Sequence, residues 1–415
     1  MTSPAATLRA PDRAPLASYG LFAGFLAAAG LPLYIHAPKF YVDEYGVSLA
    51  TLGAVLFGLR LLDVVQDPLL ARLAGMLRAA RGLAVGLALA VIAASMLGLF
   101  AVTPPVAPVL WFALMLAGVF SAFSFLTICF YAQGVDRGGR MAGMGHLRLA
   151  RWRETGGLIG VCLAAVAPIA LGGFSAYALA FAALALLAGL AMAREWRAVA
   201  PADTGFAPVL RDPEARRLLL IALVNAAPVA VSSTLFLFFV ESRLQAEGAE
   251  GPLLLLFFLS AALAAPVWSR LAERHGARRV LVWGMVLSIV SFAFAVTLGA
   301  GDTLAFALIC AASGAALGAD MTLLPAIFSA RMHRVAPGAA AGFGLWSFVS
   351  KFTLAFAAVT LLPLLQMAGF QPGAAAVAEN SETALWALSL AYGAVPCVLK
   401  VIAVALVSTL KQSEE

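Results

Sequence analysis

Three ionisable residues, Arg60, Asp63 and Asp67, lie inside the otherwise apolar segment LRLLDVVQDP (59–68). An ionisable side chain at bilayer depth is costly, and such groups usually face a bundle interior or a water-filled path. Spacings of three and four residues place these three side chains on one face of a helix. Because one arginine neutralises only one of two aspartates, a purely structural ion pair would leave a carboxylate over. The pattern therefore favours a site for a proton or a cation.

The whole chain has the composition of a membrane protein. It has 415 residues, of which 63% are hydrophobic and 12% charged, and its mean hydropathy is +0.96. A soluble domain would carry about a quarter charged residues. A helix of about 20 apolar residues spans a bilayer, and such stretches recur along the chain. They are predicted at 16–37, 47–66, 82–102, 106–131, 155–173, 175–193, 218–240, 251–271, 279–298, 303–328, 340–367 and 384–409. The sequence predicts an all-α membrane protein with twelve transmembrane helices.

Basic residues predict the orientation, because lysine and arginine remain in the cytoplasmic loops. Of the 27 lysines and arginines, 22 fall on one side of the predicted spans, and only Lys39 and Arg243 fall on the other. We therefore expect a plasma (inner) membrane protein with both termini in the cytoplasm. Arginines at helix ends have lipid headgroups as their natural partners, so the high pI does not require nucleic acid.

The two halves of the chain resemble each other. Residues 67–86 align without gaps to residues 265–284, and each segment joins the second and third helices of its half. Parallel six-helix repeats are typical of the major facilitator fold, in which two bundles rock around a site near the bilayer midplane. The predicted segments are an N-terminal bundle at 1–193, a cytoplasmic linker at 194–217 and a C-terminal bundle at 218–415.

Several motifs resemble the glycoside–pentoside–hexuronide cation symporters, the family of melibiose permease. Arg60, Asp63, Asp67 and Pro68 match the helix 2 pattern of that family. Three further regions are similar to its loop between helices 4 and 5 and to its helices 10 and 11: FYAQGVDRGGR (130–140) with LARWRETGGLIG (149–160), ALGADMTLLPA (316–326) and GFGLWSFVSK (342–351).

The resemblance implies roles for individual residues. Asp63 and Asp67 would bind the coupling ion, H⁺ or Na⁺. Arg153 would lie near the substrate path, and Lys351 would face the helix 2 acids from the other bundle. No other cofactor is implied.

The chain departs from this family where sugar is bound. Ala27 in helix 1 and Thr127 in helix 4 stand at positions where the family has acidic residues, and SARMHR (329–334) replaces an acidic patch. Buried sugar hydroxyls need hydrogen-bond partners, since each one left unpaired costs about 1–3 kcal/mol. We therefore expect a substrate that is less hydroxylated than a sugar, or anionic, attracted by Arg153, Lys351 and His36.

Other intramembrane polar residues have two interpretations each. Asp320 and Lys351 could form an inter-helix pair, either as a structural lock or as part of a binding site. Lys400 is expected to snorkel toward the cytoplasmic end of helix 12. Trp346 could line the cavity, although an aromatic side chain in an apolar helix is more often core, and the same choice holds for Asn225.

No motif of an enzyme is present. The four cysteines and four histidines have no disulfide or metal-ligand spacing. The expected partners are a small-molecule substrate and the lipid bilayer, and we expect a monomer. A cation-coupled importer is the first interpretation. A proton-coupled exporter of lipid or drug-like amphiphiles is the second, and a non-transporting membrane scaffold, which would not need the buried charges, is the third.

Overall fold

The computed structural model describes residues 16–30, 37–141, 143–196, 205–246, 248–336, 339–370 and 380–410, and helices make up nearly all of this part of the chain. The N-terminal half, 16–196, contains α1 Ala17–Ala28, α2 Ala37–Tyr45, α3 Leu49–Met76, α4 Arg81–Phe100, α5 Pro108–Arg140, α6 Gly145–Ala170, α7 Phe174–Ala191 and α8 Ala193–Trp196. The C-terminal half, 205–410, contains α9 Phe206–Arg211, α10 Pro213–Phe238, α11 Glu250–His275, α12 Ala277–Ala293, α13 Thr303–Val335, α14 Ala340–Met367, α15 Glu382–Ser389 and α16 Val395–Ser408. A π-helical turn, Leu390–Ala394, joins α15 directly to α16.

Eight stretches of the described chain are long and apolar enough to cross a membrane. Helices satisfy their own backbone hydrogen bonds, which is what a segment surrounded by lipid requires. Large apolar side chains such as Leu83, Leu186 and Leu304 are mostly exposed, as expected for surfaces that contact lipid. The all-α membrane fold is thus confirmed. The count of twelve spans stays a prediction, and its other members fall on α1, α3, α6 and α14.

Two helices extend beyond the membrane spans that the sequence predicted, which end at residues 131 and 328. Helix α5 continues through FYAQGVDRGGR to Arg140, and α13 continues through SARMHR to Val335. Asp136 and Arg140 form an i,i+4 ion pair of 2.7 Å, which stabilises the last turn of α5. Basic residues in the last turn also interact favourably with the helix dipole. These factors extend both helices past the apolar stretches from which their ends were predicted.

Glycines allow α1 and α6 to pack closely. A Cβ atom on Gly156 would lie 2.1 Å from the carbonyl oxygen of Gly20, and one on Gly160 would lie 2.3 Å from that of Gly24. Only residues without a side chain permit this approach. The glycine density of the two predicted helices is therefore explained by their contact.

The two halves meet at one end of the molecule. We call it the basic end, because the arginine-rich connections α3–α4, α5–α6 and α11–α12 lie there. Arg148 and Arg151 of the N-terminal half lie 3.8 and 3.9 Å from Glu273 of the C-terminal half. Deeper along the same interface, Leu158 packs in one apolar cluster with Ala261 and Leu317. These contacts close the basic end.

Candidate functional site

A charge cluster joins the two halves at the middle of their helices. Lys351 of α14 donates from Nζ to Oδ1 of Asp63 at 2.7 Å and to Oδ1 of Asp67 at 3.0 Å. Both aspartates lie on one face of α3, which continues as a helix through Pro68. Since α14 belongs to the C-terminal half and α3 to the N-terminal half, these two ion pairs cross the interface between them.

Hydroxyl and amide groups complete the cluster. Ser124 of α5 donates to Asp63 Oδ1 at 3.0 Å and accepts from Lys351 Nζ at 2.5 Å. Gln66 donates from Nε2 to the same Asp63 oxygen at 3.2 Å, and its own carbonyl oxygen accepts from Ser121 at 2.8 Å. Our reading of the sequence missed these three polar residues. The spacing of Ser121 and Ser124, three residues apart on an apolar helix, is the signal that could have identified two of them.

The cluster is buried, and its described side chains carry an excess of negative charge. The exposed fraction of the side chain is 0% for Asp67, 9% for Asp63 and 18% for Lys351. Two carboxylates face one ammonium group, so one negative charge is left over among these side chains. Arg60 lies on the same helix, but its side chain is outside the described part of the structure. An excess carboxylate in a low-dielectric setting attracts a proton or a cation.

Asp320 does not pair with Lys351, and Lys400 does not snorkel; both expectations are wrong. Lys400 of α16 donates to Asp320 of α13, and also to the side-chain oxygen of Asn225 of α10 at 2.7 Å. Only 2% of Lys400 and 7% of Asp320 are exposed. The arrangement of the helices explains this pairing. Helix α16 packs along α10 and α12, and both of these contact α13, which carries Asp320. Helix α14, which carries Lys351, packs along α3 and α10. This second charged group lies wholly within the C-terminal half.

The Asp320–Lys400 pair predicts a large effect on stability. Replacing Lys400 by methionine leaves the carboxylate of Asp320 buried without its cation, which we expect to cost about 3–5 kcal/mol of unfolding free energy. The double variant Lys400→Met with Asp320→Asn should recover most of this loss, as measured by denaturant or thermal unfolding in detergent. The matched control is Arg140→Met, which removes a half-exposed ion pair and should cost less than about 1 kcal/mol. Equal losses in the two single variants would contradict the prediction.

Arg153 is buried in a cage made by its neighbours. Its Nε lies 2.7 Å from Oε1 of Glu154, and its guanidinium carbon lies 3.8 Å from the ring centroid of Tyr131. Tyr131 also donates to Glu154 at 3.2 Å, and its ring packs on Phe343 of the C-terminal half, with centroids 4.8 Å apart. The guanidinium group thus packs on the ring of Tyr131, and this ring contacts Phe343 of the other half. Neither Glu154 nor Tyr131 was singled out from the sequence.

The remaining predicted residues fall in different places. Ala27 is half-buried on α1. Thr127 lies three residues beyond Ser124 on α5, and its hydroxyl is buried. Trp346 packs on Phe328, with ring centroids 4.8 Å apart, so its described contacts are with the core. His36 lies outside the described residues. Within the described residues, no three histidine, cysteine or acidic side chains are grouped to hold a metal ion.

Comparison with known protein families agrees with this architecture. Residues 16–413 match the family described as MFS/sugar transport protein. The chain belongs to this family. The resemblance to the melibiose permease group that the helix 2 and helix 11 motifs indicated is therefore confirmed, and the protein is a transporter and not an enzyme. No curated protein is similar enough in sequence to give a match.

Solved structures of transporters share this fold. A bacterial homologue of the iron transporter ferroportin, crystallised in an outward-facing state, superposes with a TM-score of 0.67 at 15% identity, covering 94% of this chain and 100% of that one. The human organic anion transporter MFSD10 (TETRAN) superposes with a TM-score of 0.63 at 15% identity, covering 94% and 98% of the two chains. At this identity the likeness shows the fold alone.

Proposed function

We propose that this transporter moves a small organic solute by symport with H⁺ or Na⁺, using alternating access of the two halves. The observation that supports it best is the pair of salt bridges from Lys351 to Asp63 and Asp67. They support the proposal because two carboxylates, which attract cations, lie where the two halves meet. In this proposal the basic end faces the cytoplasm and the protein lies in the plasma (inner) membrane as a monomer.

Coupling follows from competition for the carboxylates. Without a bound ion, Lys351 bridges Asp63 and Asp67 and links the halves. A proton or Na⁺ that enters between the carboxylates takes over this role and releases the ammonium group. Ser124 already contacts both partners, and its hydroxyl oxygen can coordinate the ion in place of accepting from Lys351. Breaking the ion pairs between the halves lets them move, which couples ion binding to solute access.

Residues in and around the cluster also indicate the class of solute. Two cations, Arg153 and Lys351, lie near the interface between the halves, whereas Ala27 and Thr127 occupy positions at which related symporters carry acids. We therefore propose an anionic or sparsely hydroxylated organic solute. Such a molecule would use the guanidinium or ammonium group as its counter-charge and would leave few hydroxyls to be satisfied.

Purified protein reconstituted in vesicles tests the proposal. A thermal-shift screen over metabolites, run with and without Na⁺ and at two pH values, should yield a ligand whose stabilisation depends on the ion. That ligand should then accumulate inside vesicles when the Na⁺ or H⁺ gradient is directed inward. A rate of ligand uptake that is the same with and without the Na⁺ and H⁺ gradients would contradict symport. Efflux driven by proton entry would instead favour the exporter of amphiphiles.

The missing acids give a prediction about sugars. We expect melibiose-type galactosides neither to bind nor to be transported, because Ala27 and Thr127 cannot accept the paired hydrogen bonds that a sugar requires. Isothermal calorimetry with the purified protein measures this directly, with an ion-dependent ligand from the screen as the positive control. Saturable galactoside binding in the micromolar to millimolar range would show that other residues replace the acids.

A further inference from the structure

Two histidines from opposite halves meet at the closed basic end. His146 is the second residue of α6, and His333 lies in the last turn of α13. Their ring centroids are 5.7 Å apart, and the Nδ1 atom of each ring is buried with no hydrogen-bond partner among the described residues. The sequence places these residues 187 positions apart, so only the fold brings them together.

Adjacent glycines at the end of α5 make room for the two rings. A Cβ atom on Gly138 would lie 2.5 Å from Nδ1 of His146, and one on Gly139 would lie 2.1 Å from Cε1 of His333. A side chain at either position would therefore force the neighbouring imidazole to shift. The rings are therefore fitted into the contact between the halves and do not simply lie on its surface.

The surroundings of the pair disfavour added positive charge. Burial, His333 and two arginines, Arg153 and Arg334, lower the pKa of His146 from 6.5 to about 4. His146 precedes residue 155, at which the predicted membrane span begins. A cleft of about 370 Å³ between the halves reaches His146 and gives protons a route to it. The elements packed around the pair carry several charged groups: Asp136, Arg137 and Arg140 of α5, Arg148, Arg151, Arg153 and Glu154 of α6, Glu214 of α10, Glu273 of α11, and Arg331 and Arg334 of α13.

Several of these charges are already paired. Asp136 bonds Arg140, Arg137 faces Glu195, and Arg331 is held by both Asp212 and Glu214. The acidic groups around the histidines thus have cations of their own. A proton gained by either imidazole would add an unbalanced charge to the interface.

We infer that His146, packed against His333 of the other half, forms a pH-sensitive latch, which holds the basic end closed while the His146 ring is neutral and opens when that ring is protonated. Protonation of His146 places a positive charge on the N-terminal half close to Arg334 of the C-terminal half, which favours separation of the two halves. The two rings lie outside the Lys351 cluster, so the latch can be tested without added solute.

The direction of the pH effect follows from proton linkage. In the closed form His146 resists protonation, whereas in the open form, exposed to water, it regains a pKa near 6.5. The open form therefore binds more protons between about pH 4 and 6.5, so acidification favours it. The advantage of the closed form is complete above pH 6.5 and is lost as the pH falls toward 4. Between pH 7.5 and 5.5 the ratio of open to closed protein should rise about tenfold from His146 alone.

A distance measurement across the basic end tests the latch. Spin labels on Ala79→Cys and Arg274→Cys, exposed positions on the two halves, report opening in the full chain after its four native cysteines are replaced. We expect the open population to rise about tenfold relative to the closed one from pH 7.5 to 5.5. The variant His146→Gln with His333→Gln cannot be protonated at these positions and should lose this response.

His275→Gln is the matched control, because His275 is exposed at the same end of the molecule and lies outside the latch. It should keep the full response. A tenfold response that persists in the double variant, or an unchanged distance in the parent protein, would overturn the inference. Should the double variant fail to give a monodisperse protein, His146→Gln alone must still remove at least half of the response on a logarithmic scale.

Discussion

Replacing Asp67 by asparagine is expected to abolish gradient-driven accumulation of the solute. Asparagine keeps the size of the side chain but cannot carry the charge that attracts a proton or Na⁺. In the variant, Lys351 and Asp63 balance each other, so no excess charge is left for a cation to neutralise. Internal solute should then reach only the external concentration in vesicles with an inward ion gradient. Exchange of internal for external solute should continue, because the two halves can still move.

Asp302→Asn is the matched control for this prediction, since Asp302 is exposed in the connection before α13. It makes the same chemical change outside the cluster and should accumulate solute like the parent protein. A readout without solute comes from ion-dependent thermal stabilisation, which Asp67→Asn should lose and Asp302→Asn should keep. Full accumulation by Asp67→Asn would remove this carboxylate from the coupling mechanism.

Removing Lys351 is expected to tighten cation binding while uncoupling it from transport. The ammonium group competes with the ion for Asp63 and Asp67, so Lys351→Ala leaves both carboxylates free to bind it. Asp63→Asn should weaken ion binding, because it removes one of the two carboxylates that attract the ion. Because Lys351 contacts Asp63 directly, the two effects should not add, and a coupling free energy of roughly 0.5–3 kcal/mol is expected. Ion affinities of the parent, both single variants and the double variant give this value.

The control is the same cycle with Lys351→Ala and Asp302→Asn, whose effects on ion affinity should simply add. If the changes in ion affinity caused by Lys351→Ala and Asp63→Asn are additive, the two charges do not interact during ion binding. Uncoupling is measured separately, as solute flux that no longer depends on the ion gradient. Coupled accumulation by Lys351→Ala would contradict the proposed competition.

The sequence contained much of the central cluster because helical periodicity acts within one segment. Asp63 and Asp67 are four residues apart, so any helix places them on one face, and the family motif identified Lys351 as their partner. Ser124 and Gln66 were not predicted. Serine in a membrane helix commonly bonds a carbonyl of its own helix, as Ser313 and Ser329 do here. A single serine gives no local sign that it contacts another helix, and only the spacing of Ser121 and Ser124 offered one here.

The partner of Asp320 could not be predicted for a different reason. Two lysines, Lys351 and Lys400, lie on later apolar helices, and charge alone fits either one. The choice depends on which helices are neighbours, and that is set by close packing over many apolar contacts. The extension of α5 and α13 beyond their apolar stretches was missed as well, because the hydropathy that located the spans says nothing about polar helical turns outside them.

The distance along the chain between the cluster's partners has a consequence for synthesis of the protein. Lys351 lies 288 residues after Asp63 and 284 after Asp67. At translation rates of roughly 5–20 residues per second, helix α3 is complete for roughly 15 to 60 seconds before α14 is made. During that interval its two aspartates have no lysine from the other half, and Arg60 of the same helix can neutralise only one of them. At least one aspartate must therefore enter the bilayer protonated or remain in a protected aqueous setting. An N-terminal half expressed alone would stay in this unfinished condition, and we expect the cell's quality-control proteases to remove it unless the C-terminal half is supplied as a separate chain.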